Sequence, residues 1–297
     1  MRIRFNNLRV SLLNDAPLDE LAAKKLGIRK QNIIKTKILR RAVDARRKNN
    51  ICLVYHLLLE LDCDEKKMRQ VLQDNNVTSW QAEKIQQLEY GKEQLCERPI
   101  VIGAGPAGLL AAFMLAKHGY RPLLLERGKA VAQRLDDVQR FWLTGEFNPE
   151  SNVQFGEGGA GTFSDGKLTT RVNDPVMNDI LEIFVEAGAP EEILSEQKPH
   201  VGTDKLRIMV TGLTRKIREL GGEVCYEQQV VDFLVKDGAV SGVVLNNNQK
   251  ILGNAVVLAC GHSARDTYAM LAKRQIALEA KPFAIGVRIE HPQELID

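Results

Sequence analysis

The sequence predicts an α/β protein that is preceded by a small α+β domain. Three observations support this prediction. From about Pro99 onward, short apolar strands alternate with glycine-rich turns, which is the α/β pattern. Within that region, residues 221–261 read as four or five consecutive strands with turns at Asp237-Gly238 and at residues 246–248, a small meander that ends in another buried strand. Ahead of it, residues 3–61 follow the order strand, helix, strand, strand.

The N-terminal elements are predicted from their residue patterns. Residues 3–5 and 8–10 form a short strand pattern, and LDELAAKKLG is a helix pattern that Gly27 ends in a left-handed conformation. Residues 33–43 alternate apolar and basic side chains, whereas residues 51–61 are a near-continuous apolar run that is typical of a more buried strand. Residues 64–95 are polar and helix-prone and indicate a connector. We therefore expect a small basic α+β domain with a helical connector over residues 1–95 and a second domain over residues 96–297.

Composition and charge limit the classes of function. Hydrophobic residues make up 44% and charged residues 27%, as in a folded globular protein rather than a disordered or fibrous one. The first residues lack the apolar core of a signal peptide, and no apolar run approaches the roughly 18 residues that span a bilayer, which predicts a cytoplasmic protein without a membrane partner. The five cysteines are scattered and form no CxxC, so we expect reduced thiols, no zinc site and no redox-active dithiol.

Residues 99–128, PIVIGAGPAGLLAAFMLAKHGYRPLLLERG, carry the most informative motif. A buried strand is followed by G-x-G-x-x-G and then by a helix that Gly119 ends, which is the arrangement of a Rossmann-like dinucleotide-binding unit. The first glycine permits the tight turn, the second lets the backbone approach a pyrophosphate, and the third lets the helix pack closely on the sheet. The pyrophosphate would then lie on free amides at the helix N-terminus. The predicted binding turn consists of Gly103, Ala104, Gly105, Pro106, Ala107 and Gly108.

The next strand, residues 123–125, ends at Glu126. This acid follows Gly108 by eighteen positions, near the ~20 expected for the residue that accepts ribose hydroxyls. Its carboxylate would repel a 2′-phosphate, so NADP is disfavoured at this site. An NAD domain normally continues directly into further βα units, whereas here a long insertion and the strand-rich block follow. That layout resembles the two-dinucleotide-binding flavoproteins of the glutathione-reductase-like superfamily, and this resemblance favours FAD over NAD. The expected fold class is therefore a Rossmann-like FAD-binding domain with an inserted β-meander.

Two further segments, NVQFGEGGAGTFSDGKLTTR and VVLACGHSARD, resemble a bacterial family of FAD-dependent dehydrogenases that are often labelled NAD(FAD)-utilising dehydrogenases. This resemblance runs over the whole chain, and the wider resemblance is to the glutathione-reductase-like flavoproteins. It implies that residues 156–167 lie near the pyrophosphate and isoalloxazine of FAD, and that the backbone at Val230 meets adenine. It also implies that the strand ending at Cys260-Gly261 corresponds to a late ATG motif. The cofactor residues that it adds are Gly158, Gly159, Ala160, Gly161, Val230 and Gly261.

Each assignment in the second segment has a structural alternative. The glycines of residues 156–166 free a loop to bring its amides against a flat anionic cofactor, but an ordinary surface loop has the same composition. The G-x-x-x-x-G-K pattern in GTFSDGKL is not a P-loop, because Leu168 stands where Ser or Thr is needed and no apolar strand precedes it. No ATPase function follows from it.

Charged residues near these motifs are candidates for direct roles. Arg127 and Arg134 would neutralise the pyrophosphate, although solvated helix charges explain them equally well. His262, directly after Gly261, is a candidate proton donor to reduced flavin or substrate, with a local hydrogen bond as the alternative. Lys167 and Asp165 are further candidates beside the flavin, with Lys167 grouped with His262 as catalytic.

The expected function is an FAD-dependent oxidoreductase of unidentified substrate, with hydride transfer through flavin N5 and NAD(P)H as one candidate electron donor. One alternative is nucleic-acid binding through residues 24–48, which hold eleven Lys or Arg against one acid. Another is a partner-binding remnant of a flavoprotein. Such flavoproteins continue into a substrate domain and a C-terminal flavin motif. Residues 280–297 resemble the start of that domain, with residues 286–297 as its first strand. We therefore expect the sequence to be a fragment or a truncated reading frame.

Overall fold

The structure is a computed structural model that describes residues 1–47, 49–80, 91, 94–164, 166–168, 174–196, 198–287 and 289–296. The chain divides into two compact units, residues 1–261 and residues 262–297. Among the described residues, no helix is both long enough and apolar enough to cross a bilayer.

An antiparallel sheet organises the N-terminal part of the first unit. Alternate residues of its first strand, among them Ile3 and Phe5, are buried together with Leu57 and Leu59 of a neighbouring strand. The elements in chain order are β1 (Arg2–Ser11), α1 (Leu18–Leu26), β2 (Ile33–Asp44), β3 (Cys52–Leu61), α2 (Glu65–Val71) and β4 (Val77–Ser79). The sheet order is β2-β3-β1-β4. The predicted order of strand, helix, strand, strand is therefore confirmed, as is the left-handed Gly27, with φ 64°.

The runs at residues 3–5 and 8–10 belong to the single strand β1, with a register shift between Phe5 and Leu8 where Asn7 adopts φ 59°. The sheet differs from the prediction at one place. β4 lies inside the predicted helical connector and pairs with β1. Three residues are too few to show a strand period, so no local pattern indicated this strand. Residues 81–90 and 92–93, which include the second helical pattern of the connector, lie outside the described residues.

The edge strand β2 contacts a later segment of the same unit. The backbone N–H of Arg41 donates to the carbonyl of Ser195 at 2.6 Å, and its guanidinium lies 2.6 Å from the carboxylate of Glu196. Both side chains of this ion pair are partly exposed, so we expect it to contribute no more than about 1 kcal/mol. The backbone contact pairs part of an edge that would otherwise present free N–H and C=O groups.

A parallel four-stranded sheet forms the centre of the remainder of the unit. The elements from residue 100 are β5 (Ile100–Ile102), α3 (Pro106–Lys117), β6 (Leu123–Leu125), α4 (Val131–Thr144), α5 (Val176–Glu186), α6 (Thr203–Glu219), β7 (Glu223–Cys225), β8 (Val230–Lys236), β9 (Ala239–Leu245), β10 (Lys250–Leu252) and β11 (Val256–Leu258). The order of the parallel sheet is β11-β5-β6-β7, and each neighbouring pair of strands is parallel. Counted along the chain, the parallel strands lie in the order 3-2-1-4, and ligands of such sheets bind outside the carboxyl ends at the switch point, here between β5 and β11.

The predicted meander is confirmed as a separate antiparallel sheet of order β10-β9-β8. Its first turn has positive φ at both Asp237 (52°) and Gly238 (78°), as a two-residue hairpin turn requires. The strand that follows it, β11, was expected to be buried. It is half-buried instead, with Val257 37% exposed, because it lies at the edge of the parallel sheet.

The second unit contains α7 (Arg265–Lys273) and a short 3-10 turn over Gln293–Leu295. The strand expected after Gly286 is not formed in residues 286, 287 and 289–296 as the structure describes them. A strand requires a hydrogen-bonded neighbour, and no paired strand is formed by the described part of this unit.

Candidate functional site

The turn between β5 and α3 is set by two glycines. Gly103 has φ 97°, and a Cβ there would lie 2.5 Å from the carbonyl oxygen of Ala259. A Cβ on Gly108 would lie 1.8 Å from the carbonyl oxygen of Gly103. Both neighbours are backbone atoms and cannot move aside. The first and third glycines of the motif are therefore required by packing in this turn.

Gly105 differs from these two glycines. It caps the N-terminus of α3 with an ordinary φ of −72°, and the nearest atom to an added Cβ is the Cα of Gly159, 4.0 Å away. Neither strain nor packing requires a glycine here. The absence of a side chain leaves space in front of the first turn of α3, whose early amides have no acceptor within the helix.

The second glycine-rich segment lies against this turn. The N–H of Gly158 donates to the carbonyl of Ala104 at 2.8 Å. A Cβ on Gly159 would lie 3.2 Å from the Cα of Gly105 and 3.3 Å from Cδ of Pro106. The chain then forms a 3-10 turn over Ala160–Phe163, in which Gly161 is exposed with no atom within 4 Å of an added Cβ. The two glycine-rich motifs, fifty residues apart in sequence, meet at one end of α3.

Glu126 is buried at the end of β6, with 4% of its surface exposed. One carboxylate oxygen accepts the N–H of Ala104 at 2.7 Å, and the other accepts the N–H of Gly128 at 2.8 Å. The acid therefore fixes the same turn that it was expected to neighbour. Each oxygen has a second lone pair, so these bonds leave acceptor capacity for a hydroxyl.

Arg134 is fully buried in α4, so its interpretation as a solvated helix charge is wrong. Its guanidinium donates to four backbone carbonyls at 2.7 to 3.3 Å and lies 4.8 Å from the ring centre of Phe163. Burial lowers its pKa to about 10, although the carboxylates of Glu126 and Glu157 act in the opposite direction. It remains a cation at neutral pH. The carbonyls belong to Asn152, Val153, Gly156 and Glu157.

Arg127 is also largely buried, with 13% of its side chain exposed. Its guanidinium lies 4.6 Å from the ring centre of Phe155 and 3.5 Å from the carboxylate of Glu150. The description as a solvated helix charge therefore fails for this residue as well. Stacking on an aromatic face stabilises the guanidinium where it is partly desolvated.

The sequence did not reveal the role of Glu157. This acid is 3% exposed, and its carboxylate accepts the N–H of Val131 at 2.8 Å, the hydroxyl of Thr214 at 2.5 Å and the hydroxyl of Tyr226 at 2.6 Å. Burial and the adjacent carboxylate raise the pKa of Tyr226. Its partners lie up to 69 positions away, so no local pattern could have indicated the network.

Comparison with known proteins agrees with this geometry. The family model described as NAD(P)-binding Rossmann-like domain matches residues 101–153. The chain contains a Rossmann-like nucleotide-binding domain. Residues 2–60 match a different family model, described as a domain of unknown function (DUF8436).

Three relatives extend over more of the sequence. A Clostridium beijerinckii protein named "Uncharacterized protein" is 44% identical over 299 residues, which cover 100% of this chain and 56% of that protein. The thiamine thiazole synthase of Aeropyrum pernix is 31% identical over 52% of this chain and 46% of its own length. The enzyme of the same name from Thermotoga maritima is 28% identical over 59% of this chain and 60% of its own length. The chain thus spans less than two thirds of each relative.

Solved structures give weaker similarities. Thermovibrio ammonificans THI4 is 21% identical with a TM-score of 0.40, over 61% of this chain and 64% of that one. L-proline dehydrogenase from P. horikoshii is 16% identical with a TM-score of 0.39, over 59% and 56% of the two chains.

Val230 is the first residue of β8, and the residues just before it contact the backbone at Glu126 and Gly128. The N–H of Gln228 donates to the carbonyl of Glu126 at 2.8 Å, and that of Glu227 donates to the carbonyl of Gly128 at 3.0 Å. The segment entering β8 therefore runs along the carboxyl end of β6. Val230 itself is 7% exposed. Its expected contact with adenine stays a prediction.

The two candidate catalytic residues, Lys167 and His262, belong to different units of the chain. Lys167 is exposed and forms a β-bridge with His200. Asp165 lies outside the described residues. Gly261, with φ 71°, ends the first unit. His262 begins the second unit, where its ring nitrogens lie 3.5 Å from the hydroxyl of Ser263. Their catalytic roles stay predictions.

Proposed function

We propose that the Rossmann-like domain binds FAD and that the protein is a flavin-dependent oxidoreductase. The observation that carries this proposal is the meeting of two glycine-rich segments at the N-terminus of α3. One of them contributes Gly105 and the other contributes Gly159 and Gly161. Helix amides, the helix dipole and backbone without side chains form a surface that suits a pyrophosphate.

The residues present fit such a group. At Gly105 and Gly161 the structure tolerates a Cβ, since no atom comes closer than 4.0 Å to the first and none lies within 4 Å of the second. Glycine at these two positions leaves the backbone accessible in front of the N-terminus of α3, where a ligand can approach it closely. A flat anionic cofactor is such a group.

The connection between β7 and β11 favours FAD over NAD. β7 is the third parallel strand and β11 the fourth, and the meander β8 to β10 connects them. An NAD domain normally uses helices for these connections. The proposal for FAD therefore rests on this connection and on the resemblance carried by residues 152–171.

When bound, FAD supplies two-electron oxidation and reduction. The chain's own residues hold and orient it. The amides of Ala107 and Gly108 in the first turn of α3 bind the pyrophosphate, and Glu126 accepts a ribose hydroxyl with its remaining lone pairs. Arg134 contributes a positive charge from beneath the second glycine-rich segment, and its N–H groups bind the loop rather than the ligand.

The test is a titration of the purified chain with FAD, followed by flavin absorbance and fluorescence. We expect a Gly105→Ala variant to fold normally, because its φ and its surroundings accept a Cβ, and to bind FAD at least about tenfold more weakly, or about 1.4 kcal/mol. Gly286→Ala is the matched control, since that glycine has ordinary φ and open space. A chain that binds NAD but not FAD, or a Gly105→Ala variant with unchanged affinity, would contradict the proposal.

Oxidoreductase activity is tested separately. The FAD-loaded chain is mixed with NADH or NADPH without oxygen, and bleaching of the flavin absorbance is recorded. Bleaching by either nicotinamide supports its role as electron donor. If FAD binds but neither nicotinamide bleaches it, the proposed donor is wrong and the binding proposal stands.

A further inference from the structure

The outer face of the N-terminal sheet carries a row of cations. Residues that lie directly opposite one another on neighbouring strands point to the same face. Glu60 of β3 lies opposite Arg2 of β1 and Lys35 of β2, and Leu58 lies opposite both Arg4 and Lys37. Along each strand, these residues alternate with residues whose side chains point to the core-facing side of the sheet.

A third row continues this face. Arg40 of β2 lies opposite His56 of β3. His56 lies on β3, between the strands that carry Arg4 and Arg40. Burial lowers the pKa of His56, and the charges of these two arginines lower it further. The Nδ1 of His56 lies 2.7 Å from the side-chain oxygen of Asn6.

Part of the positive charge on this sheet is neutralised. Arg2 pairs with Glu60 at 3.7 Å, and Arg9 pairs with Asp44 at 2.8 Å. Four exposed cations remain that form no ion pair with any carboxylate in the described part of the chain. We call these four residues the basic face, and they are Arg4, Lys35, Lys37 and Arg40.

The basic face coincides only in part with the cluster that the sequence indicated. Within residues 24–48, Lys30 pairs with Glu20, Arg41 with Glu196, and Arg46 with Asp44. Lys48 lies outside the described residues. The eleven basic residues of this segment therefore do not form one surface. The basic face contains three of them, Lys35, Lys37 and Arg40, together with Arg4 of β1.

We propose that the basic face binds the phosphate backbone of a nucleic-acid duplex. Lys35 and Lys37 are two residues apart on one strand, or about 7 Å, and Arg40 extends the row to about 16 Å. Arg4 lies two strands away, at about 10 Å. Such spacings allow each cation to meet a separate phosphate on one side of a duplex.

The composition of the face favours this partner over others. On the same face of the sheet the aliphatic side chains of Val54 and Leu58 are half-buried, so neither extends for insertion into a bilayer. The rings on this face are His56 and Trp80, whose backbone N–H donates to the carbonyl of Arg2. Both are half-buried, so the face holds no row of exposed rings on which successive bases of a single strand would stack. Cations alone on a flat surface recognise phosphates without reading sequence.

The expected strength of the salt dependence follows from the four cations. Four phosphate contacts give a slope of log K against log salt of about −3.6. Raising the salt from about 50 to about 200 mM would then weaken binding by about 150-fold.

The experiment measures fluorescence anisotropy of a labelled DNA duplex of mixed sequence with the full chain over that range of salt. A variant in which the four cations of the basic face are changed to Gln should bind at least about 100-fold more weakly at the low salt, with a slope near zero. The matched control removes the same charge from exposed cations elsewhere in the N-terminal part and should bind within about threefold of the unchanged chain. It carries Lys24→Gln, Lys25→Gln, Arg29→Gln and Lys66→Gln.

Other outcomes overturn the proposal. They are no binding at low salt, equal weakening by the control variant, tighter binding of a single strand than of the duplex, or equal salt-sensitive binding of polyglutamate or of phosphatidylserine vesicles. Circular dichroism and FAD titration of the basic-face variant check that its fold and its distant cofactor site are intact. The proposal is independent of the FAD proposal, since a chain that fails to bind FAD is still tested with the duplex.

Discussion

Replacing Arg134 by Met removes the buried guanidinium that holds the second glycine-rich segment. The side chain donates to four backbone carbonyls, and the change leaves these acceptors inside the protein without a donor. A single unsatisfied buried group costs about 1–3 kcal/mol, but relief of the burial of a charge offsets part of the sum. Two buried carboxylates, Glu126 and Glu157, also lose their neighbouring cation. We expect the free energy of unfolding to fall by about 3–5 kcal/mol.

The assay is urea unfolding followed by circular dichroism, with FAD affinity measured on the fraction that remains folded. Arg140→Met is the matched control, since Arg140 lies on the same helix with 53% of its side chain exposed and its nearest carboxylate at 3.9 Å. The control should change stability by less than about 1 kcal/mol. If Arg134→Met is as stable as the control variant, the guanidinium does not hold the loop and the reasoning fails.

Three further predictions concern other residues. Gly108→Ala should abolish folding or lower the urea midpoint sharply, because its Cβ would meet the carbonyl of Gly103. A midpoint equal to that of the unchanged chain would contradict this close approach of the two residues. Glu126→Gln should lower the free energy of unfolding by about 1–3 kcal/mol, because an NH₂ group then faces a backbone N–H, and equal stability by urea unfolding would refute this. Burial and two neighbouring guanidinium groups lower the pKa of His56, so the unfolded chain binds more protons below about pH 6.5 and stability should fall as the pH drops below that value. His56→Gln should lose this part of the pH dependence in unfolding curves recorded on both sides of that pH.

Local patterns were sufficient to predict most elements. The motif around Gly103 fixed a strand, a turn and a helix, and the structure forms them over Ile100–Ile102 and Pro106–Lys117. The alternation in β1 and the turn at Asp237-Gly238 were read correctly for the same reason, since each depends on residues close in sequence.

The long-range polar contacts could not be predicted. Arg134 carries the same charge as Arg140 on the same helix, and only the fold decides that one is buried and the other exposed. No local pattern indicated a role for Glu157, although its carboxylate connects α4, α6 and the segment after β7. The basic segment of residues 24–48 was read as one surface, but partners such as Glu196 lie far away in the sequence and neutralise part of it.

The contacts of Arg134 have a consequence for the rate and entropy of ligand binding. The four carbonyls are held by a side chain of the protein itself, so the shape of residues 152–157 is established on folding. Ordering a flexible segment costs about 1–2 kcal/mol per residue, and here a ligand would meet a loop for which that loss of freedom has already occurred. Association would then proceed without a slow rearrangement of the loop, and differences in affinity among related ligands would arise mainly in their dissociation rates.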